Sequence, residues 1–384
     1  MAEHSSRRDF LHTAAGLTVV AGAASAIPSN EGSEVEWRNK QPGMHYRRLG
    51  RTGLMISEVV SGGDPITSSN YKHLNLAFEM GLNYLDMAPA YSNGDCEIAY
   101  GKLLAETSRR NQVFLQTKVS TYNMVRNKLY NELFVSLPSS EQQAITGQVE
   151  QIKSTNLAEK PGYYLTYFPG QHNQFAGSYL SSAMMSKYGS RVDTRPELRQ
   201  CIVDSVEGSL KRVGTDHFDL LMCPHGASTA DEMDNPVIYE TFSELKKQGK
   251  VRFLGVTSHN DSAATLRKAV QLGHYDAVQM AYNVINAGYV DQAILEASTK
   301  NIGMIAMKTA HAVATHHKAL QPIPQWRIDK INRVIPGDMK APLKGYLWVL
   351  QNPHISAVNS NLWDETFVRE NLALAGRKVD LQPA

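Results

Sequence analysis

Short apolar runs alternate with longer segments of helical period along most of this chain. The runs are Glu58–Ser61, Asn83–Ala88, Val113–Val119, Phe218–Cys223, Val251–Thr257, Ala277–Tyr282, Gly303–Lys308 and Ile355–Asn359. Between and after them lie Tyr71–Met80, Cys96–Glu106, Pro196–Arg212, Pro236–Gln248, Ser262–Leu272, Val290–Thr299, Ala341–Gln351 and Asp364–Ala375, where apolar residues recur every three or four positions. Near-continuous apolar strands are those buried on both faces, so the alternation predicts a parallel sheet covered by helices. Eight such units close into a (β/α)8 TIM barrel. A doubly wound open sheet is the alternative arrangement of the same parts. Ahead of them, Tyr46–Ser57 alternates about Gly50 and Gly53 and predicts a hairpin.

Two stretches break the rhythm. Residues 120–194 separate the third strand from its helix, and Ala310–Asp338 lengthens the connection after the seventh. Strand-to-helix loops are ordinarily ~2–6 residues. Both excursions leave strand C-terminal ends, the face where barrel enzymes carry their sites. The first holds Tyr163, Tyr164, Tyr167, Phe168, Phe175 and Tyr179, with His172 among them. Those rings form either a lid or substrate wall over the catalytic face, or the small core that a long loop needs to stay ordered.

With 42% hydrophobic and 20% charged residues, the composition is that of a globular protein, and Lys+Arg 39 against Asp+Glu 37 leaves no basic excess for nucleic acid. Cys96, Cys201 and Cys223 form no CxxC pair and read as free thiols, so no metal site is assigned. His316 and His317 are neighbours in a loop, with no His-x-His or carboxylate cluster at a strand end to join them.

The first residues read differently. Ser6-Arg7-Arg8-Asp9-Phe10-Leu11 precedes an apolar run from Thr13 that ends in Ala24-Ser25-Ala26. A charged start, a short apolar middle and an A-x-A end compose a secretory signal, too short for a permanent membrane span. The paired arginines resemble the twin-arginine (Tat) signal, whose machinery carries folded proteins. The expected organisation is a signal over 1–26, a loose leader over 27–43 and a barrel over 44–384. The expected location is periplasmic or otherwise exported, by the bacterial twin-arginine route.

Three neighbouring strands end in polar groups: Asp86 with Tyr91 shortly after it, Lys118, and His225. A phenol ionises near pH ~10 and is a poor acid or base at neutrality. A nearby ammonium favours the phenolate, so Lys118 would tune Tyr91, with Asp86 holding the lysine and His225 facing the substrate oxygen. That is a general acid–base for a carbonyl/alcohol pair, and the hydride would come from a nicotinamide.

Asp86-Met87-Ala88-Pro89-Ala90-Tyr91, then Glu97 and Gly101, a strand-end lysine and a strand-end histidine, resemble the aldo-keto reductase superfamily from about Tyr46 to Ala375. The resemblance implies NADP or NAD as cofactor, Tyr91 as acid–base, Lys118 and Asp86 as its tuners, and His225 as the substrate-orienting group. It further implies cofactor contacts from Thr257 and Ser258 in the G-V-S-N position, from Gln279, and from Ser360, Asn361 and Asn371. The start of the last helix, near Asn361 to Asp364, reads as a pyrophosphate site.

Departures from the family pattern bear on detail. Pro224 lengthens the approach to His225, the seventh strand ends in Lys308 with no stacking tyrosine, and the eighth-strand loop lacks the arginine that grips a 2′-phosphate. Lys308 would meet a cofactor phosphate, the substrate or solvent. The expected partner is a small carbonyl or alcohol substrate, sugar-like if the insert's rings pack on it, with a cofactor held tightly enough to survive export. The alternative is a catalytically weak nucleotide-binding or redox-sensing barrel.

Overall fold

The computed structural model describes residues 34–315 and 322–383. The signal over 1–26, the first part of the leader, and His316 and His317 lie outside the described residues.

The eight apolar runs form β4 (Val59–Gly62), β5 (Tyr84–Asp86), β6 (Phe114–Lys118), β7 (Phe218–Met222), β8 (Val251–Ser258), β9 (Ala277–Ala281), β10 (Gly303–Met307) and β11 (Ala357–Asn361). Each pairs in parallel with the next, and β11 closes on β4 through Val358↔Val59, so the sheet is a closed barrel. Helices cover it: α1 (Leu74–Glu79), α2 (Asp95–Thr107), α6 (Pro196–Val213), α7 (Pro236–Lys247), α8 (Ser262–Leu272), α9 (Ala287–Ser298), α11 (Ala341–Leu350) and α12 (Glu365–Leu372). The open sheet is thereby ruled out. Every β-residue alternates faces, and the barrel interior therefore stacks in layers. A lower apolar layer holds Val60, Tyr84, Phe114, Leu220, Ala277, Ile305 and Ala357. Two residues further along their strands, Asp86, Gln116, Gln279 and Asn359 meet above it in a polar layer.

The hairpin of β2 (Tyr46–Arg48) and β3 (Leu54–Ser57) plugs the lower end, with Leu49, Leu54 and Ile56 completing the inner core. Its turn touches the start of β10 so closely that a Cβ on Gly50 would collide with the Gly303 and Asn301 backbone. The leader expectation fails for its described residues. Glu36–Trp37 forms β1, a parallel third strand on β3. Arg38 bonds the Val113 carbonyl (2.6 Å) and pairs with the fully buried Asp219, which also takes Arg252. Charges so enclosed and paired fix this segment to the barrel floor.

The long excursion is helical, with α3 (Tyr122–Val135), α4 (Ser139–Thr155) and α5 (Asn173–Val192). The rings form the small core that was one of the two expectations. Tyr164, Phe175 and Tyr179 pack on one another, while the loop 156–172 reaches the upper mouth of the barrel. There the Tyr163 hydroxyl donates to Asp261 Oδ1 (2.6 Å) and accepts from Ala263 N (2.8 Å). Tyr167 accepts from Asn283 Nδ2 (3.0 Å), and Gln171 donates to Asn260 Oδ1 (2.6 Å). All of these groups are buried, so the insert is docked by satisfied polar bonds. The second excursion supplies α10 (Gln325–Val334). No helix among the described residues is long and apolar enough to cross a membrane.

Candidate active site

Asp86 ends β5 pointing inward, because Tyr84 two residues earlier is in the core. Its carboxylate is almost wholly buried and is surrounded by donors. Lys118 Nζ and Gln116 Nε2 reach Oδ1; Asn359 Nδ2 (2.6 Å) and Gln279 Nε2 (3.1 Å) reach Oδ2. Lys118 also donates to the Met87 carbonyl (3.0 Å), which fixes the ammonium between two acceptors. Tyr84 donates to Gln116 Oε1 (2.6 Å), and Gln116 donates to Gln279 Oε1 (2.6 Å), so the network extends across the barrel.

Tyr91 stands over this network, with the Lys118 ammonium 4.5 Å from its ring centroid. His225 meets the same ring edge-on, at 6.1 Å between centroids and 83° between planes. Its approach past Pro224 therefore reaches the site, and its Nδ1 bonds Ser120 Oγ (2.9 Å). All four residues singled out by the motif converge.

Their electrostatics differ from expectation in one respect. Lys118 was expected to pull the Tyr91 phenol down. Its charge is spent on Asp86 instead, and it lies over the ring face. Burial, then the carboxylates of Asp86 and Asp64, hold the phenol well above its usual range. Tyr91 is thus a protonated donor at neutral pH, an acid that awaits a developing oxyanion. His225 is pushed well below the usual imidazole range by burial, Lys118 and Lys308, and is a neutral group.

The assigned cofactor residues divide. Asn361 and Asn371 line an apolar cavity of about 550 Å³ among Pro342, Leu343, Tyr346, Trp363 and Phe367, and Ser360 holds Asn371 (2.8 Å) from behind. This groove shares Ala310, His311, Tyr346 and Asn361 with the catalytic pocket, so one opens into the other. Tyr346 brings to that junction the ring that the end of β10 lacks. The other residues are used elsewhere. Thr257 Oγ1 accepts from Gly226 N (2.7 Å), and Ser258 Oγ donates to the Ala227 carbonyl (2.9 Å), so both pin the segment after His225. Both ends of Gln279 are taken up by the Asp86 network. Lys308, in left-handed backbone at φ 58°, lines the catalytic pocket rather than the groove. Nor is the start of α12 open to pyrophosphate, because Asp364 Oδ1 accepts from Thr366 N (2.8 Å) and Phe367 N (3.1 Å). A carboxylate already caps that helix.

Sequence reasoning passed over Gln116, Asn359, Asp64 and His259. The first two were visible as polar residues in phase with Asp86 and Lys118 along inward-facing strand positions. His259, one residue beyond β8, lines the pocket beside Tyr91. Burial first, then Lys308, His225, Lys118 and His311 hold it well below its usual range. A histidine depressed in the folded state takes up a proton on unfolding once the pH is below its ordinary value near ~6.5, so acid costs the fold stability. Removing it should remove that cost. His259→Gln is therefore expected to gain in melting temperature relative to the native chain between about pH 7.5 and about pH 5.5. A difference independent of pH in paired thermal melts would refute this.

Comparison with known proteins bears on the family and the fold. The chain is 24% identical over 224 residues to the aldo-keto reductase AFTS1 of Alternaria alternata, covering 56% of this chain and 49% of that one. It is 23% identical over 246 residues to the oxidoreductase YqkF of Bacillus subtilis, covering 63% and 58%. The chain thus spans about half the length of these curated relatives. Among solved structures, the holo form of an aldo-keto reductase from Bacillus halodurans superposes with a TM-score of 0.58 at 18% identity, covering 87% of this chain and 92% of that one. A putative aldo-keto reductase from Pseudomonas aeruginosa gives 0.52 at 18% identity, with 86% and 94% covered. The profile described as "Aldo/keto reductase family" matches residues 61–325, from β4 into the second excursion. With that match and the closed barrel that carries the tetrad, the chain belongs to the aldo/keto reductase family.

Proposed function

We propose that the protein is an NAD(P)-dependent oxidoreductase that interconverts a carbonyl and an alcohol, with Tyr91 as the acid–base. The observation that carries this reading is the meeting of Asp86, Tyr91, Lys118 and His225 at a mouth that opens into an apolar groove. The groove suits a dinucleotide in size, and a buried, unpartnered acceptor, Asn359 Oδ1, faces the catalytic pocket where a carboxamide N–H₂ would satisfy it. Asn361, Asn371, Tyr346, Trp363 and Phe367 would hold the cofactor, and a bound nicotinamide supplies the hydride. The chain's own residues do the rest. His225 and the Tyr91 hydroxyl orient the carbonyl oxygen, and Tyr91 delivers its proton to that oxygen as charge develops. Lys118, paired with Asp86, holds the Tyr91 ring from its face.

Sugar-like compounds are the proposed substrates, from the polar pocket and the aromatic insert. Export by the twin-arginine route fits Arg7-Arg8 and favours a cofactor taken up before transport and retained. The test is to purify the exported chain without added nucleotide, denature it and identify released molecules by mass spectrometry. Near-stoichiometric NAD or NADP is expected. An empty protein that also fails to quench on titration with NADH and NADPH would overturn the reading.

A further inference from the structure

The insert begins against His225. Lys118 at the end of β6 stands in register with Met222 at the end of β7, and Val119 N bonds the Met222 carbonyl (2.9 Å). The two segments therefore still run side by side beyond the strand ends, and Ser120 comes to lie next to His225. Its Oγ and His225 Nδ1 are 2.9 Å apart. Among the described residues that nitrogen is the hydroxyl's one hydrogen-bond partner, and His225 Nε2 has none.

Which atom donates follows from that inventory. A neutral imidazole has one N–H and one bare nitrogen, and a hydroxyl can face either. If Nδ1 carried the proton, Ser120 would accept it, and the hydroxyl's own hydrogen would lack an acceptor among the described residues. If Ser120 donates, its hydrogen is satisfied and the imidazole proton is left on Nε2. The bond made by one ring nitrogen thus sets the state of the other. A carbonyl oxygen only accepts, so only the second arrangement offers it a donor beside Tyr91.

The segment that follows His225 is fastened to the insert as well. Asn123 Nδ2 donates to the Gly226 carbonyl (3.3 Å), while Thr257 Oγ1 holds Gly226 N. Further along, the fully buried Glu232 accepts from Ser178 Oγ of α5 (2.7 Å), Ser228 N (3.1 Å) and Thr229 N (3.2 Å). Asn235 Nδ2 donates to Asp193 Oδ1 (3.0 Å). With the backbone after His225 held at both ends of 226–235, the facing of its ring is left to Ser120.

We propose that Ser120 is a positioning residue: its hydroxyl donates to His225 Nδ1 and fixes the neutral imidazole as the tautomer with its proton on Nε2, free to meet the substrate oxygen. The role deepens the oxidoreductase reading and rests on it for the reaction served. It also gives the insert a part in the site at its first residue.

The experiment is heteronuclear NMR of the imidazole nitrogens in the full chain at neutral pH, with His225 assigned by its loss in His225→Gln. The native chain, Ser120→Ala and Ser120→Thr are compared, with NADH and NADPH titrations and reduction of p-nitrobenzaldehyde alongside. Native His225 should carry its proton on Nε2. Ser120→Ala should mix the two tautomers and lower kcat/KM by roughly five- to tenfold, the worth of one hydrogen bond. Ser120→Thr keeps a hydroxyl and should restore both. A role confined to packing would leave the tautomer where it is. A proton on Nδ1 in the native chain, a tautomer unmoved in Ser120→Ala, or native turnover in that variant would each overturn the assignment. The expected tautomer pattern in a chain that binds neither nucleotide would uphold the positioning of His225 and sink the oxidoreductase reading.

Discussion

Tyr91→Phe should lower kcat for carbonyl reduction by about a thousandfold, within the ~10²–10⁴ that a positioned general acid contributes. The ring is kept, so its edge contact with His225 and its face over Lys118 survive, and nucleotide affinity should be unchanged. Only the proton is lost. The expected pH dependence of the native enzyme follows from the same environment. Burial and two carboxylates hold the phenol above its usual range, so it remains protonated through neutrality and into mild alkali. Reduction should be flat across that span, falling only when the phenol ionises. Oxidation of the alcohol needs the phenolate and should rise with pH over the same range. Residual activity in Tyr91→Phe above about a tenth of native would mean that the proton comes from elsewhere, with His225 the nearest candidate.

The same chemistry explains how much the sequence disclosed. Asp86, Lys118 and His225 stood out because each is a polar residue at the tip of an apolar strand, a pattern readable without any tertiary information. Gln116 was hidden by that very criterion, since it sits inside a run judged only by its apolar content, whereas Asn359 ends its run and was open to the same test. Asp364 was legible as an N-cap, with Glu365 behind it, and the expectation of a phosphate site ignored that a carboxylate would fill it first. Helix α4 of the insert escaped notice because it buries only Ile145. A polar helix resting mainly on one neighbour, α5, shows little periodicity of its own. What Lys118 does to Tyr91 could not be read at all. It depends on which atom the ammonium faces, and the carboxylate of Asp86 absorbs the charge that was expected to act on the phenol.

That absorption sets the largest stability effect. Asp86 and Lys118 are each about 1% exposed, and breaking one partner of a buried pair costs about 3–5 kcal/mol. The two halves of the pair should not be equal. In Lys118→Met the Asp86 carboxylate keeps Gln116, Gln279 and Asn359 as donors, so the variant should fall at the lower end of that range. In Asp86→Asn the carboxamide has one acceptor oxygen for all those donors, its own N–H₂ is turned on them, and the Lys118 ammonium is left with the Met87 carbonyl alone. That variant should fall at the upper end. The double variant Asp86→Asn with Lys118→Met removes both charges together and should be less destabilised than the sum of the singles, as contacting residues usually are. Urea unfolding of the four chains measures this directly. Additive losses would mean that the two charges act independently, and the picture of Lys118 as a cation neutralised in place before Tyr91 gives up its proton would have to be abandoned.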